Sequence, residues 1–388
     1  MVLTLNQFMA LLSFRGFIRD INYTPNLTPQ LKAYSLEQFN INSSGSFGII
    51  TLGSLENNIA FSKWVSPKRT RSYPFARIYN IYHLNTKKIT VIPIIKDEGS
   101  GTSNNDRINS ITFSWMNLLN VYIILGWYED ADAVTGKVDR ITKQKLNADY
   151  IKNKIREVSS YQMTALHWNT THFQREFSTV YLNAVNSYEK IARNKMVKLH
   201  STSKHLEVLE RFKDGGEFDI EAFKKATLPY SFAAANRELL TTHAFEHLGD
   251  GCKGIFSISN YLGGEYYLTA DEIYEENNRV VIQESKNSSS GKLPAEDDIK
   301  DGLFKLILFA NLETLFLGDV QVEFVARLKI TGNIESFLYL PSNDTDVRNF
   351  CKINKFTQRQ QRLIELLNQE SENNTKLSIL ITGRQRIW

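Results

Sequence analysis

One segment constrains the fold of this chain more than any other, because it contains two strand-like runs separated by a tight polar turn. The first run is EYYLTADEIY, the turn is EENN and the second run is RVVIQES, together spanning residues 265–285. Val, Ile, Tyr and Thr favour strands, and a short Asn-containing turn between two such runs favours a hairpin. The sequence therefore predicts an antiparallel hairpin in this region.

Three charged residues are placed to meet on this hairpin. Asp271 lies on the first strand, and Glu284 and Lys286 lie on the second. Residues two apart on a strand project from the same face, and antiparallel pairing brings the opposite strand beside them. Two carboxylates can hold Mg²⁺, with Mn²⁺ as a possible substitute, and an ammonium group can orient a water molecule. The cluster therefore indicates metal-dependent hydrolysis of a phosphodiester.

The order Asp271, then Glu284-Ser285-Lys286, resembles the D…ExK signature of the PD-(D/E)XK nuclease superfamily, which includes most type II restriction endonucleases. The resemblance covers roughly residues 235–330 and includes a helix before the hairpin and another after it. It implies that Asp271 and Glu284 bind the metal and that Lys286 is catalytic. One departure is that Ala270 precedes Asp271, where the family usually has proline. This leaves open which acid of the first strand is the ligand, although Glu272 should point to the opposite face.

The resemblance also implies contributions from the two flanking helices. An acidic residue on the preceding helix often assists the metal in this family, and Glu246 is the first candidate, followed by Glu238. A polar or basic residue early in the following helix often joins the site. Lys305 or Asp301 could serve there, and Lys305 is also a candidate for DNA contact.

The expected fold class is mixed α/β, with a restriction-endonuclease-like central mixed sheet flanked by helices in the C-terminal half. Three segments are expected: a β-rich domain (residues 1–136), a basic helical segment (137–225) and the catalytic domain (226–388). The first segment either contacts DNA or is a degenerate repeat of the core. Its expected strands include FGIITLGSL, FARIYNIYHL and KKITVIPII, and its first residues, around Phe8 and Leu11, look helical.

The distribution of charge suggests contact with a polyanion. The whole chain has a net charge of +4, yet residues 137–213 contain 15 Lys and Arg against 7 Asp and Glu. Such a basic segment is expected where a protein binds nucleic acid, although a solvated helical face has the same composition. A second basic run, SPKRTRSYPFAR, interleaves cations with aromatic residues. The candidate DNA-binding residues are Lys68, Arg69, Arg71, Arg77, Lys190, Arg193, Lys195 and Lys198.

Lys96, Asp97 and Glu98 form another charged group, at the end of a predicted buried strand. They are either a second polar site or an ordinary charged strand end leading into a loop. Because this group lacks the carboxylate-x-lysine order of Glu284 and Lys286, one active centre per chain is expected. Cutting both strands of DNA then favours a homodimer.

The expected function is that of a Mg²⁺-dependent DNA endonuclease, a sequence-specific type II restriction enzyme that acts on double-stranded DNA beside a partner DNA methyltransferase. The alternatives are a defence or repair nuclease for RNA or branched DNA, and a non-catalytic nucleic-acid-binding protein. Two cysteines without CxxC spacing argue against a structural zinc site. Without a signal peptide or a long apolar run, the chain is expected to be cytoplasmic and to have no membrane partner.

Overall fold

The computed structural model describes residues 12–53, 58–64, 74–97, 105–108, 110–214, 217–223, 225–226, 252–260 and 265–384. The chain divides into two compact units, the first formed by Met1–Leu27 with Ser231–Trp388 and the second by Thr28–Tyr230. The described elements, in chain order, are β1 (Leu12–Ile18), β2 (Ala33–Ser35), β3 (Phe47–Thr51), β4 (Ile59–Lys63), α1 (Pro74–Tyr82), β5 (Lys87–Pro93), β6 (Ile95–Asp97), β7 (Asn105–Arg107), α2 (Ser110–Leu118), β8 (Val121–Gly126), β9 (Tyr128–Ala133), β10 (Ile141–Leu146), α3 (Ala148–Ser160), α4 (Ala165–Lys195), α5 (Thr202–Arg211), β11 (Lys213–Asp214), β12 (Glu217–Phe218), β13 (Cys252–Asn260), β14 (Glu265–Glu276), β15 (Arg279–Asn287), α6 (Glu296–Ala310), β16 (Thr314–Leu317), β17 (Val320–Gln321), β18 (Phe324–Gly332), β19 (Leu338–Leu340), α7 (Asp344–Ile353), α8 (Gln358–Asn373) and β20 (Leu377–Gly383).

The first unit is a mixed α/β layer built on a large sheet. In the described part of the chain its strand order is β17-β16-β1-β13-β14-β15-β18-β20-β19. Strands β13, β14 and β15 form an antiparallel meander, whereas β15, β18 and β20 are parallel. Helix α6 lies in the connection from β15 to β18, which also contains β16 and β17, and packs on both β15 and β18. Helix α8 packs on β19 and β20. The predicted hairpin and the predicted helix after it are confirmed, as is a mixed sheet flanked by helices.

The N-terminal residues join this sheet as a strand. Leu12 begins β1, which pairs in parallel with β13, and Phe14 stacks on Phe256 with ring centroids 4.9 Å apart. The segment after β1 is held against α8, because the Tyr23 hydroxyl donates to Glu370 Oε1 at 2.6 Å. The expected N-terminal helix is therefore wrong from Leu12 onward, and its earlier residues, Phe8 and Leu11, lie outside the described residues.

The second unit contains a smaller mixed sheet with the order β2-β3-β4-β5-β8 in the described part of the chain. The strands expected around FGIITLGSL and KKITVIPII are β3 and β5. The segment FARIYNIYHL is a helix instead, α1, and its residues Phe75, Ala76, Ile78, Tyr79 and Ile81 are almost fully buried. A helix that is apolar on most sides has the composition of a buried strand, which explains the wrong prediction. Residues 74–93 are thus a helix followed by a strand rather than two strands joined by a turn.

The segment 137–225 is only partly helical. Its first part is β10, which pairs with β9 as an antiparallel hairpin, and the short strands β11 and β12 follow α5. Ile141 and Leu146 face inward at the two ends of β10, whereas the residues between them are polar and half-exposed. This short amphipathic strand was missed because its lysines suggested a solvated helix. The three helices α3, α4 and α5 make up most of the remainder.

Side chains of α4 satisfy the backbone of the edge strand β8. Asn169 accepts a hydrogen bond from the Ile123 amide at 2.7 Å and donates to the Val121 carbonyl at 3.0 Å. Trp168 Nε1 donates to the Ile123 carbonyl at 2.8 Å, and His172 Nε2 accepts from the Leu125 amide at 3.1 Å. A sheet edge must otherwise leave backbone groups unpaired. These contacts explain three polar positions on an otherwise apolar helix face.

We expect the buried His172 to make the protein sensitive to acid. Burial lowers the pKa of His172 from 6.5 to about 3. Below pH 6.5 the unfolded chain therefore binds a proton at His172 that the folded protein does not bind. The free energy of unfolding decreases as the pH is lowered, until the pKa of the folded state is reached. At pH 5 this loss amounts to about 2 kcal/mol. Urea unfolding at pH 7.5 and pH 5.0 should show a smaller pH effect in His172→Gln than in the wild type. His200→Gln serves as the control, and equal pH dependence in all three proteins would contradict the prediction.

Candidate functional site

The central acid of the site, Glu284, lies on β15 beneath α6. Ile282 is fully buried, and Glu284 projects from the same face two positions later. Gly302 lets α6 approach this face closely, since a Cβ atom there would lie 2.8 Å from Leu328 Cδ1 and 2.9 Å from Lys286 Cε. The close approach allows polar side chains of α6 to reach Glu284.

Two ammonium groups hold the Glu284 carboxylate. Lys286 Nζ lies 3.0 Å from Oε1, and Lys305 Nζ lies 2.8 Å from Oε2. The Glu284 side chain is only 4% exposed, and Lys305 is almost as buried at 8%. A buried carboxylate is costly unless a charge of opposite sign and hydrogen bonds compensate it. Here each oxygen is bonded to a different lysine, one from the strand and one from the helix.

The α6 helix also positions Lys286 through Asp301. Asp301 Oδ2 lies 3.7 Å from Lys286 Nζ, and Asp301 itself is 3% exposed. Asp301 and Lys305 are four residues apart on the helix, so both project from the same side toward β15. The two α6 residues named from the sequence therefore lie together in this cluster.

Asp271 reaches the cluster from β14, because Glu272 pairs with Gln283 and Asp271 therefore lies across from Glu284. The pairing of β13 with β14 shifts between Cys252 and Gly254, so Asp271 and Glu272 together lie opposite one residue of β13. This extra residue is a β-bulge, which changes the face to which alternate side chains point. Ala270 and Ile273 can then both be buried, while Asp271 Oδ2 accepts a hydrogen bond from the Ser285 amide at 2.9 Å.

The environment of Asp271 disfavours its charged form. Burial, followed by the nearby Glu284 carboxylate, raises the pKa of Asp271 from 3.8 to about 6, against the opposing influence of Lys305. Neighbouring carboxylates with a raised pKa are common where a cation binds, because the cation relieves their repulsion. Asp271 and Glu284 thus form a close pair of carboxylates at a single place in the sheet.

The neighbouring acid, Glu272, belongs to a separate polar network on the opposite face of the sheet. Glu272 is 5% exposed and accepts a hydrogen bond from Gln283 Nε2 at 2.5 Å. In the same network Arg327 Nη1 donates to the Tyr274 hydroxyl at 2.8 Å and forms an ion pair with Glu276. Sequence reasoning placed Glu272 on this face but missed the network, because Arg327 lies on β18, far away in the sequence.

The donor set suits a hard divalent cation with water. Among the described residues, no group of three or more His, Cys, Asp or Glu side chains is placed to hold a metal ion. Mg²⁺ is commonly held by one or two carboxylates and completes its shell with water and substrate phosphate. The pair of Asp271 and Glu284 fits that requirement. The oxygen-only character of the pair argues against a zinc centre, which favours nitrogen and sulfur.

Several residues named from the sequence lie outside the described residues: Glu238, Glu246, Lys68, Arg69, Arg71 and Glu98. Arg77 is described, and its Nη1 donates to the Lys63 carbonyl at 2.8 Å, so this guanidinium supports backbone structure. Lys96 lies opposite Asp106 in the hairpin of β6 and β7, and Asp97 lies opposite Asn105. Lys305 is buried in the cluster rather than displayed on the surface for DNA.

The basic residues at the end of α4 are not a uniform cationic surface. Lys190, Arg193 and Lys198 are exposed. Lys195 lies 3.6 Å from both Asp130 and Asp132 of the acidic strand β9. Acids so close lower the local positive potential, because opposite charges at this distance largely cancel at longer range. The expected contact with phosphate is therefore weaker at Lys195 than at the exposed Lys190, Arg193 and Lys198, and it stays a prediction for all four.

Comparisons of the chain with protein-family models, with curated proteins and with solved structures gave no match. Within the described residues, no helix is both long enough and apolar enough to cross a membrane. Even α4, with 31 residues, carries charged side chains near its middle, at Arg175 and Glu176, and in its last two turns.

Proposed function

We propose that this chain is a metal-dependent endonuclease of the PD-(D/E)XK type that cleaves DNA. The observation that carries the proposal is the cluster around Glu284. It combines a carboxylate pair, Asp271 and Glu284, with an ammonium group, Lys286, bonded to one of the two acids at 3.0 Å. These groups suit metal-dependent phosphodiester hydrolysis, and they converge from the two neighbouring strands β14 and β15.

The topology around the cluster supports the proposal. The antiparallel meander of β13, β14 and β15 is followed by α6, and, after the short strands β16 and β17, by β18, which runs parallel to β15. The acids lie on the second and third strands of this unit. A hairpin followed by a helix is part of the order that the resemblance to PD-(D/E)XK nucleases implies, and the helix expected before the hairpin lies outside the described residues. A restriction-endonuclease-like core is therefore part of the proposal.

Each residue of the cluster has a distinct task in the proposed reaction. Asp271 and Glu284 hold the divalent cation, which when bound acidifies a water molecule and neutralises charge on the scissile phosphate. The Lys286 ammonium donates hydrogen bonds at Nζ, to the attacking water or to a phosphate oxygen whose charge grows during the reaction. Asp301 limits the movement of that ammonium group. The buried floor, formed by Ile282 and Leu328, excludes water from one side of the cluster.

Double-stranded DNA is the proposed substrate, and a homodimer is the proposed active form. One cluster can hydrolyse one strand at a time, so two copies related by a two-fold axis would cut both strands at one site. A sequence-specific enzyme of this kind would need a partner DNA methyltransferase to protect the host DNA. The exposed cations at the end of α4 would contribute phosphate contacts that do not depend on sequence.

The deciding experiment is an incubation of the purified protein with plasmid DNA, linear phage DNA and RNA. We expect cleavage of DNA with Mg²⁺ or Mn²⁺ and none with EDTA. Fragments of discrete size would support sequence-specific cutting. Cleavage confined to RNA or to branched DNA would favour the alternative nuclease, and metal-independent DNA binding without cleavage of any substrate would exclude the proposed activity.

A further inference from the structure

Lys305 stands out among the charged side chains of the site. It is not part of the carboxylate-x-lysine pair on β15, and it reaches Glu284 from α6. Its ammonium nitrogen lies 2.8 Å from Glu284 Oε2 and its side chain is 8% exposed. The remaining oxygen, Oε1, is bonded to Lys286. Both oxygens of the acid proposed to bind metal are therefore covered by lysines.

We propose that Lys305 is an internal counter-ion that occupies the metal-binding side of Glu284 and must leave Oε2 when a divalent cation binds. The inference rests on the proposed function, because it concerns the same metal site. An ammonium group and a metal ion cannot both lie against one carboxylate oxygen without strong repulsion between them. Lys286 can keep its place, since it is anchored from the other side by Asp301 at 3.7 Å.

The charges of the cluster show how the exchange of the Lys305 ammonium group for a metal ion affects the stability of the site. Asp271, Glu284 and Asp301 contribute three carboxyl groups, and Lys286 and Lys305 contribute two ammonium groups. Without Lys305 the carboxylates would repel one another in a buried place, so the metal-free protein would be less stable. With Lys305 present, a cation must compete with an ammonium group that is already bonded. Lys305 thus stabilises the metal-free site and weakens metal binding.

Lys305→Met tests the inference, because methionine keeps the length and the apolar part of the side chain. Titration calorimetry with Mn²⁺ alone should show binding at least tenfold tighter than in the wild type. In EDTA the variant should melt at a lower temperature, and Mn²⁺ should raise its melting temperature by more than that of the wild type. Lys300→Met is the matched control, because Lys300 lies on the same helix, is equally buried and pairs with Glu296 at 2.7 Å. It should leave Mn²⁺ affinity unchanged.

The outcomes separate this inference from the proposed function. Equal Mn²⁺ affinity in Lys305→Met and the wild type would overturn the role of Lys305 and leave the metal site intact. No Mn²⁺ binding in either protein, or undiminished binding in Glu284→Gln, would overturn both. If Lys305→Met does not fold without metal, the wild type can be used. The Lys305 ammonium signal in a nitrogen-15 NMR spectrum, assigned with Lys305→Arg, should shift when Mg²⁺ saturates the site, and an unmoved signal would refute the exchange.

Discussion

Glu284→Gln, Asp271→Asn and Lys286→Met should each lower the rate of Mg²⁺-dependent DNA cleavage by about 100-fold or more, the loss that follows removal of one well-placed electrostatic group. The first two changes remove a negative charge from the metal-binding pair while preserving side-chain size. The third removes the ammonium group that lies 3.0 Å from Glu284 Oε1. Single-turnover cleavage of plasmid DNA at saturating protein measures the effect. DNA binding in Ca²⁺, measured alongside, separates loss of chemistry from loss of affinity.

Glu272→Gln is the matched control for these variants. Glu272 is the next residue after Asp271 and is also buried, but it belongs to the network with Gln283 on the opposite face of the sheet. Its replacement should leave the cleavage rate within about threefold of the wild type, even if the melting temperature falls, because it does not touch the cluster. If Glu272→Gln is as inactive as Glu284→Gln, the metal-binding acid of β14 is Glu272, on the opposite face of the sheet, and the assignment of Asp271 is wrong. Near-normal rates in all three cluster variants would refute the site itself.

The part of the fold that the sequence predicted best is governed by local patterns. In β15 the β-branched residues Val280, Val281 and Ile282 adjoin a polar turn, and this combination has few alternatives to a hairpin. In α6, Ile299, Leu303 and Ile307 recur at helical spacing. Because Glu284 and Lys286 lie two apart on one strand, their proximity follows from strand geometry alone. These features required no knowledge of distant contacts.

The parts that the sequence did not predict depend on partners far away in the chain. The segment Pro74–Tyr82 forms a helix that is buried along nearly its whole length, although its Ile and Tyr residues favour a strand locally. The strand β1 pairs with β13, more than 200 residues later, and has no local signal for that pairing. Such long-range pairing is decided by the whole fold rather than by local preference.

The site shows the same division between local and distant causes. The register of the hairpin pairs Glu272 with Gln283, so strand alternation puts Asp271 with Glu284, and the sequence could name Asp271 for this local reason. The bulge at Asp271 and Glu272 arises from the pairing of β14 with β13 and has no local signal in the sequence. Likewise, Lys305 was a candidate because of its place on the helix. Its bond to Glu284 depends on the close approach that Gly302 allows.

Asp271→Asn should make the protein more stable although it slows cleavage. The pKa of Asp271 is raised from 3.8 to about 6, so the folded protein disfavours the ionised carboxylate relative to the unfolded chain. The resulting cost is absent below pH 3.8, grows between pH 3.8 and 6, and is complete above pH 6. Its full size is about 3 kcal/mol. Asparagine has no such cost and can still accept the hydrogen bond from the Ser285 amide.

Urea unfolding in EDTA should therefore find Asp271→Asn more stable than the wild type by about 3 kcal/mol at pH 8 and by less than about 1 kcal/mol at pH 4. Asp319→Asn, at a fully exposed aspartate, is the control and should show no such dependence on pH. Added Mg²⁺ should stabilise the wild type alone, since binding to the folded state adds to its stability, and should narrow the difference at pH 8. A variant less stable than the wild type at pH 8 would mean that Asp271 supports the fold. A variant more stable than the wild type would mean that the Asp271 carboxylate lowers the stability of the protein, as expected of a group that is kept because it binds a cation.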